Sequence, residues 1–282
     1  MSSACLFQIR CLAQAPLNSL GIIAGNGVYP QLLADSARKA GVGKIIAAAF
    51  TGETDPTLEQ RVDLLEWMRV GQLNRLLKFF RAHDIHHAIM AGQIAPKNLF
   101  DLQPDWKALL LLGRLKERNA ESIFAAIADE LAKIDVELLP ATTFLEDSLA
   151  PAGLVAGAKL SRQEEEDVDL GWKTAKKIAR LNIGQTAIVK NGTIVAVEAF
   201  EGTNETIKRG GALARAGVVM VKVAKPNQDM RFDVPVIGLE TIRICAEARV
   251  RVIAVEAGKT LLLERDAIVE LANRSKLSIV AR

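Results

Sequence analysis

Residues 20–39 read LGIIAGNGVYPQLLADSARK. The run 20–24 is short and apolar, as expected of a buried strand. Gly25-Asn26-Gly27 then turns the chain, and Pro30 suits the first turn of a helix reaching about Lys39. Gly41 and Gly43 end that helix, and residues 44–50 supply a second strand. A third strand lies within 62–68 and a fourth at 87–91. Between them Leu73, Leu76, Leu77 and Phe80 fall at helical spacing over 71–81. Helical stretches near 105–115 and 119–134 and a strand at 136–139 follow. Strands alternating with helices predict a parallel sheet covered on both faces, hence a Rossmann-like N-terminal domain over 20–148.

The composition shifts over 146–161, where Pro151, Gly153, Gly157 and several alanines cluster. The domain boundary is expected there, with 149–163 as a linker and 164–282 as a C-terminal mixed α/β domain. A charged amphipathic helix spans 164–181. Two apolar runs, 186–190 and 193–199, flank Asn191-Gly192, whose positive φ angles suit the type I′ turn of a hairpin. A short helix near 203–209, a strand at 218–223, a helix at 241–248, strands at 252–256 and 260–263, a helix at 264–275 and a strand at 277–281 complete the pattern. AVEA occurs at both 196–199 and 254–257, too short a match to establish a repeat.

The chain has 282 residues, enough for two domains. With 50% hydrophobic and 24% charged residues it is an ordinary globular composition. Its net charge of +3 carries no nucleic-acid footprint. The pI near 8.7 is compatible with weak attraction to an anionic membrane surface. Cys5, Cys11 and Cys245 make neither a disulfide framework nor a zinc spacing, so a reducing cytoplasm is expected. No apolar run approaches the ~18 residues of a spanning helix. Residues 1–19 lack the apolar core of a signal peptide and are read as an N-terminal extension.

The chemistry concentrates in residues 222–238, KVAKPNQDMRFDVPVIG. Lys222, Lys225 and Arg231 are suited to phosphate oxygens. Asp229 and Asp233 are suited to a divalent cation or to orienting a water. The same charges can instead pair with one another as an ordinary surface loop. Gly25, Asn26, Gly27 and Val28 lie between a strand and a helix, where backbone N–H groups meet anions, although a plain tight turn needs the same glycines. The motif is G-x-G-x-x-P, without the third glycine of a dinucleotide fingerprint, and the second strand ends in Phe50-Thr51-Gly52 with no acidic residue at its tip. Both features count against NAD. Gly92 and Gln93 follow the fourth strand at the carboxyl end of the expected sheet. Glu198, Glu201, Gly202, Thr203 and Asn204 close the hairpin and enter a helix; Thr203 can cap that helix or bind phosphate. His83, His86 and His87 are read as a surface loop rather than a metal site. Trp106 and the leucines at 109–112 are a candidate acyl-chain or membrane contact, with a core helix as the commoner use of such a run.

The run K-P-x-Q-x-x-R-x-D-x-P-x-I-G, here Lys225, Pro226, Gln228, Arg231, Asp233, Pro235, Ile237 and Gly238, resembles the signature of the metal-dependent UDP-2,3-diacylglucosamine diphosphatases of lipid A synthesis. LGIIAGNGVYP at 20–30, LNIGQTAIV around Gln185 and AVEAFEGT at 196–203 sit at matching distances, so the resemblance covers roughly residues 20–282. It implies hydrolysis of UDP-2,3-diacylglucosamine to UMP and 2,3-diacylglucosamine 1-phosphate (lipid X) by metal-assisted water attack on the α-phosphorus. It implies Asp233, Arg231 and Lys225 as catalytic residues. Asp233, Asp229 and Glu201 would hold Mg²⁺ or Mn²⁺. Gly25, Asn26, Gly27, Val28, Gly92, Gln93, Gly202, Thr203, Asn204 and Gln228 would contact substrate. The partner implied is a lipid-linked UDP-sugar; contact with the inner membrane and a homodimer stay open. Two departures stand out: Asn204 where relatives carry Asp, and Ala120-Glu121 where they often carry an Asp pair. The alternatives are an NAD(P)-linked oxidoreductase and a non-catalytic nucleotide-sugar-binding protein.

Overall fold

A computed structural model describes residues 17–94, 104–115, 120–226 and 228–282. Most of the N-terminal extension, with Cys5 and Cys11, lies outside the described residues; Ser19, placed in that extension by the sequence reading, opens the first strand.

The N-terminal half contains strands β1 (Ser19–Ala24), β2 (Lys44–Phe50), β3 (Leu64–Met68), β4 (His87–Ala91) and β5 (Glu137–Leu138). They form a parallel sheet in the order β3-β2-β1-β4-β5. The order reverses between β1 and β4, so their carboxyl ends make the crevice where ligands of open α/β sheets gather. Among the described residues four helices cover the sheet: α1 (Tyr29–Lys39), α2 (Leu73–Ala82), α3 (Trp106–Arg114) and α4 (Ala120–Ala132). Pro30 opens α1, where a missing N–H costs nothing. Leu73, Leu76, Leu77 and Phe80 bury the expected face of α2. The side chains of Ala120 and Glu121, where relatives often carry an Asp pair, lie outside the described residues.

The C-terminal half is built on β6 (Gly153–Ala156), β7 (Thr186–Lys190), β8 (Thr193–Val197), β9 (Val218–Lys222), β10 (Val236–Ile237), β11 (Val250–Val255), β12 (Leu261–Leu262) and β13 (Ser278–Ala281). Its six-stranded sheet runs β6-β13-β11-β9-β7-β8, with β9, β11 and β13 mutually parallel and the β6–β13, β7–β9 and β7–β8 pairs antiparallel. The mixed α/β expectation holds. Helices α5 (Arg162–Arg180), α6 (Thr203–Ala214), α7 (Leu239–Glu247) and α8 (Arg265–Arg274) pack around it. Residues 153–156, within the expected linker, form an edge strand, because their backbone pairs with β13. α5 also begins earlier than its charge pattern suggests. Ser161 and Glu164 form a reciprocal capping box that starts the helix at Arg162.

The Asn-Gly signal is realised: Asn191 and Gly192 both have positive φ, 48° and 75°. Their N–H groups donate to the buried Asp167 carboxylate at 2.8 and 2.7 Å, tying the hairpin to α5.

The two halves share apolar contacts. Leu261 and Leu263, with Val234 and Val236 at the margin, pack into the N-terminal cluster around Leu20, Ile22 and Leu33. Phe232 joins the cluster on the other face of the N-terminal sheet. Among the described residues no helix is long and apolar enough to cross a membrane.

Asp167→Ala should lower stability by about 1–2 kcal/mol through loss of two charge-assisted hydrogen bonds. Urea unfolding would report it, and an unchanged midpoint would show that the turn holds itself.

Candidate active site

All five residues of β9 are buried, and so are Val223 and Ala224 beyond it. Lys225 is the first residue to reach the surface. From there the chain turns back on itself under the control of its own side chains. Gln228 Oε1 accepts from Lys225 N at 2.8 Å. Asp229 accepts from Arg231 N at 3.0 Å and from the Arg231 guanidinium through three contacts of 2.6–3.1 Å. Asp233 N donates to Asp229 O at 2.9 Å. Lys225 Nζ stands 2.9 Å from Asp233 Oδ2. The charges of the segment therefore do pair with one another, as the plainer reading allowed, but they do so in a place that is not an ordinary surface. Met230 O accepts from Ala141 N of the N-terminal half at 2.7 Å. The Phe232 ring meets Phe124 of α4 at 5.6 Å. The segment is docked between the halves.

Its electrostatics follow from these pairs. The hydrogen-bonded Arg231 guanidinium holds the Asp229 carboxyl below the usual aspartate range, and Asp229 raises Arg231 in return. Lys222 is buried, which pulls its pKa down against the opposing pull of Glu198 and Asp233. Its ammonium donates to Val236 O at 3.1 Å.

On the N-terminal side, Gly25 N donates to Ala91 O and Asn26 N to Gln93 O, both at 2.7 Å. A Cβ on Gly25 would fall 2.5 Å from Gln93 O, and one on Gly92, at φ +90°, would fall 2.5 Å from Asn26 O. These two glycines are required because the turns after β1 and β4 press backbone against backbone. Gly27 and Val28, by contrast, face open space and are available to a ligand. Tyr29 donates its hydroxyl to Ala141 O, next to the Ala141–Met230 contact, so the glycine turn and the charged segment are joined through one residue.

The 198–204 group lies at the end of β8. Thr203 donates to Glu198 at 2.9 Å, and Gly202, at φ +83°, precedes α6. Glu201 pairs with Arg209 at 2.5 Å, and Asn204 is exposed in the first turn of α6. The buried Gln185 Oε1 and Gln228 Nε2 have no hydrogen-bond partner among the described residues. An acceptor and a donor cut off from solvent in this way are open to a bound water or a ligand. Gln185 was quoted for the family run but not counted as a site residue; only the fold shows its carbonyl unsatisfied. Glu53 was also missed. It follows the tip of β2 and accepts from Asn26 Nδ2 at 2.9 Å, so an acidic group does stand near the place judged empty.

Asp233, Asp229 and Glu201 do not gather into a ligand cage. Each is paired with a cation, and no three His, Cys, Asp or Glu side chains among the described residues form a metal-holding group. Mg²⁺ needs no such cage when it arrives on a diphosphate, since one or two carboxylates and the phosphates suffice. His86 pairs with Asp84 and His87 with Glu137 at the surface.

Asp105 caps α3 by accepting from Lys107 N and Ala108 N at 3.1 and 2.9 Å. The helix is only half core: Ala108 is buried, while Trp106, Leu109 and Leu110 are more than half exposed. A cleft of about 310 Å³ opens between α3 and α4, lined by Trp106, Leu110, Leu111, Ala126, Asp129 and Lys133 among others. α4, one wall of this cleft, meets the charged segment through the Phe124–Phe232 contact.

Two family descriptions match the chain: the LpxI N-terminal domain over residues 19–148 and the LpxI C-terminal domain over 151–280. A Caulobacter vibrioides protein, UDP-2,3-diacylglucosamine pyrophosphatase LpxI, is 29% identical over 91% of this chain and 95% of its own length. Among solved structures, the biotin carboxylase domain of Hydrogenobacter thermophilus 2-oxoglutarate carboxylase is similar at TM-score 0.30 and 10% identity, and N5-carboxyaminoimidazole ribonucleotide synthetase at 0.29 and 14%. Each covers 71% of this chain, which in turn spans 42% and 46% of theirs. Likeness at that level carries no functional argument.

A carboxyl held low contributes stability above the ordinary aspartate pKa of about 3.9 and loses it as pH falls through the lowered value. Arg231→Gln should therefore move the Asp229 carboxyl up toward the ordinary value, visible as a shifted carbon-13 titration curve. An unmoved curve would mean that Arg231 does not hold it.

Proposed function

This chain belongs to the LpxI family, and we propose that it hydrolyses UDP-2,3-diacylglucosamine to UMP and 2,3-diacylglucosamine 1-phosphate, a step of lipid A synthesis. The observation that carries the reading is the Lys225–Asp233 pair, set between the halves in the loop that also holds the unpartnered Gln228 Nε2. A diphosphate entering there competes with Asp233 for Lys225. As the lysine turns to phosphate oxygens, the carboxylate is released to accept a proton from water. Water adds to the phosphorus nearest uridine, the bond to the bridging oxygen breaks, and the lipid phosphate leaves. Arg231 and Lys225 face the charge growing on that leaving group, and Gln228 Nε2 donates to a phosphate oxygen. Gly27 and Val28 offer open backbone to the nucleotide sugar, with Gly92 and Gln93 supporting the turn. Gly202, Thr203 and Asn204 present a helix N-terminus on the other side.

Asp233 is the residue that would hold Mg²⁺ or Mn²⁺ brought in on the diphosphate, with Asp229 next to it; the ion would offset phosphate charge. The acyl chains fit the cleft between α3 and α4, where each buried methylene contributes about 0.8 kcal/mol. Work on such a lipid at the cytoplasmic membrane face suits a chain whose α3 turns Trp106, Leu109 and Leu110 outward.

Asp233→Ala should lower turnover at least ~10²-fold, the scale of a lost general base, while leaving the protein folded. Near-normal turnover would remove Asp233 from the mechanism. Hydrolysis in H₂¹⁸O should place the label in UMP; label in the lipid phosphate would reverse the direction of attack.

A further inference from the structure

The sequence AVEA occurs twice, and the fold gives both copies the same kind of position. Glu198 follows the end of β8 and Glu256 the end of β11. Both are buried, at 8% and 9% exposure, and both turn a carboxylate onto a backbone N–H at the same end of the sheet. Glu198 accepts from Gln185 N at 3.2 Å, and Glu256 accepts from Ala224 N at 3.0 Å.

The Glu256 contact lies where the strand ladder stops. The β9–β11 register ends at Lys222 opposite Val255. On the β7 side one further bond, Val223 N to Gln185 O at 3.0 Å, extends the sheet. Ala224 has no strand partner, so the Glu256 side chain takes the place of the next rung. Lys176 of α5 completes the arrangement. Its ammonium donates to Ala224 O at 3.0 Å and to Glu256 Oε2 at 2.5 Å, above the Trp172 ring at 5.9 Å. Lys259 takes the other Glu256 oxygen at 2.7 Å. Both polar backbone groups of Ala224 are thus held by one ion pair, and the next residue is Lys225.

We propose that the Glu256–Lys176 pair is a clamp that sets where the charged segment leaves β9, making Glu256 a positioning residue for the reaction of Lys225 and Asp233. Ion pairs removed from water add little net stability, but they hold geometry tightly when every oxygen is engaged. Burial pushes the Glu256 carboxyl up, and the two lysines outweigh it, so the group stays below the usual glutamate range and remains a charged acceptor. The chemistry depends on sub-ångström placement of the lysine and the carboxylate, and the clamp acts one residue upstream of that lysine.

The turnover readout rests on the diphosphatase reading; amide exchange does not. Glu256→Gln keeps the shape and an acceptor for Ala224 N but removes the charge that gathers Lys176. Turnover should fall roughly tenfold, a loss expected from a small displacement, with KM little changed. Hydrogen exchange should accelerate over 223–233 and not elsewhere, with thermal unfolding close to that of the wild type. Lys176→Met should give the same pattern, and the double variant should be no worse than either single one, because both remove one device. If Glu256→Gln fails to fold, Lys176→Met decides. Unaltered turnover and exchange in a folded variant would overturn the clamp, as would loss of activity that tracks global unfolding in both variants. A wild-type protein that leaves UDP-2,3-diacylglucosamine intact, yet shows the localised exchange change on substitution, would overturn the diphosphatase reading and keep the clamp.

Discussion

Strand β9 runs through the middle of the C-terminal sheet and ends at Lys222, where β11 also ends and the antiparallel β7 begins. Everything downstream depends on how the chain leaves that strand. Buried N–H and C=O groups must be paired, and a segment rich in prolines and charges cannot pair them through a ladder. The fold answers with one further backbone bond and then with side chains. Gln185 O receives Val223 N, Glu256 receives Ala224 N, and Lys176 donates to Ala224 O. From this anchored start the segment crosses to the N-terminal half, where Ala141 and Phe124 receive it.

Beyond β9, Lys225 and Arg231 each already have a carboxylate. Such pairs do not make the protein much more stable, since their side chains remain a quarter to two fifths exposed. What they do is hold long, flexible side chains near one geometry and make their charges exchangeable. A diphosphate brings negative charge that can replace Asp233 at Lys225, whereas Arg231 is gripped by Asp229 through several contacts and moves less readily. The two pairs therefore differ in kind: Lys225 and Asp233 meet through one contact, Arg231 and Asp229 through several.

The glycines of the N-terminal turn also divide by role. Gly25 and Gly92 are needed because two turns interlock at the point where strand order reverses, and a side chain on either would strike backbone. Gly27 meets nothing, so its positive φ serves the turn itself and leaves the peptide accessible. The crevice is thus rigid behind and open in front. Beside it α3 turns an apolar face outward, although a helix apolar on every side ordinarily seeks burial.

Read by itself, the sequence determined nearly all the elements. Apolar runs, helical spacing, Asn191-Gly192 and the glycine turn are local signals, and local sterics and periodicity do not depend on distant residues. The fold class and the run from Lys225 to Gly238 were legible for the same reason. Residues 153–156 looked like linker because an edge strand of four residues with two small ones has little pattern of its own; only pairing with β13 makes it a strand. Tertiary structure alone decided which charges meet. Glu256 reaches Ala224 across 32 residues and Lys176 across 80, and nothing in AVEA marks one glutamate as a backbone acceptor. The unpartnered Gln185 Oε1 and Gln228 Nε2, the Asn26–Glu53 bond and the docking of Met230 on Ala141 are likewise decided by burial and register. Those are properties of the packed sheets, because a polar group has no obligation to find a partner until the fold takes water away from it.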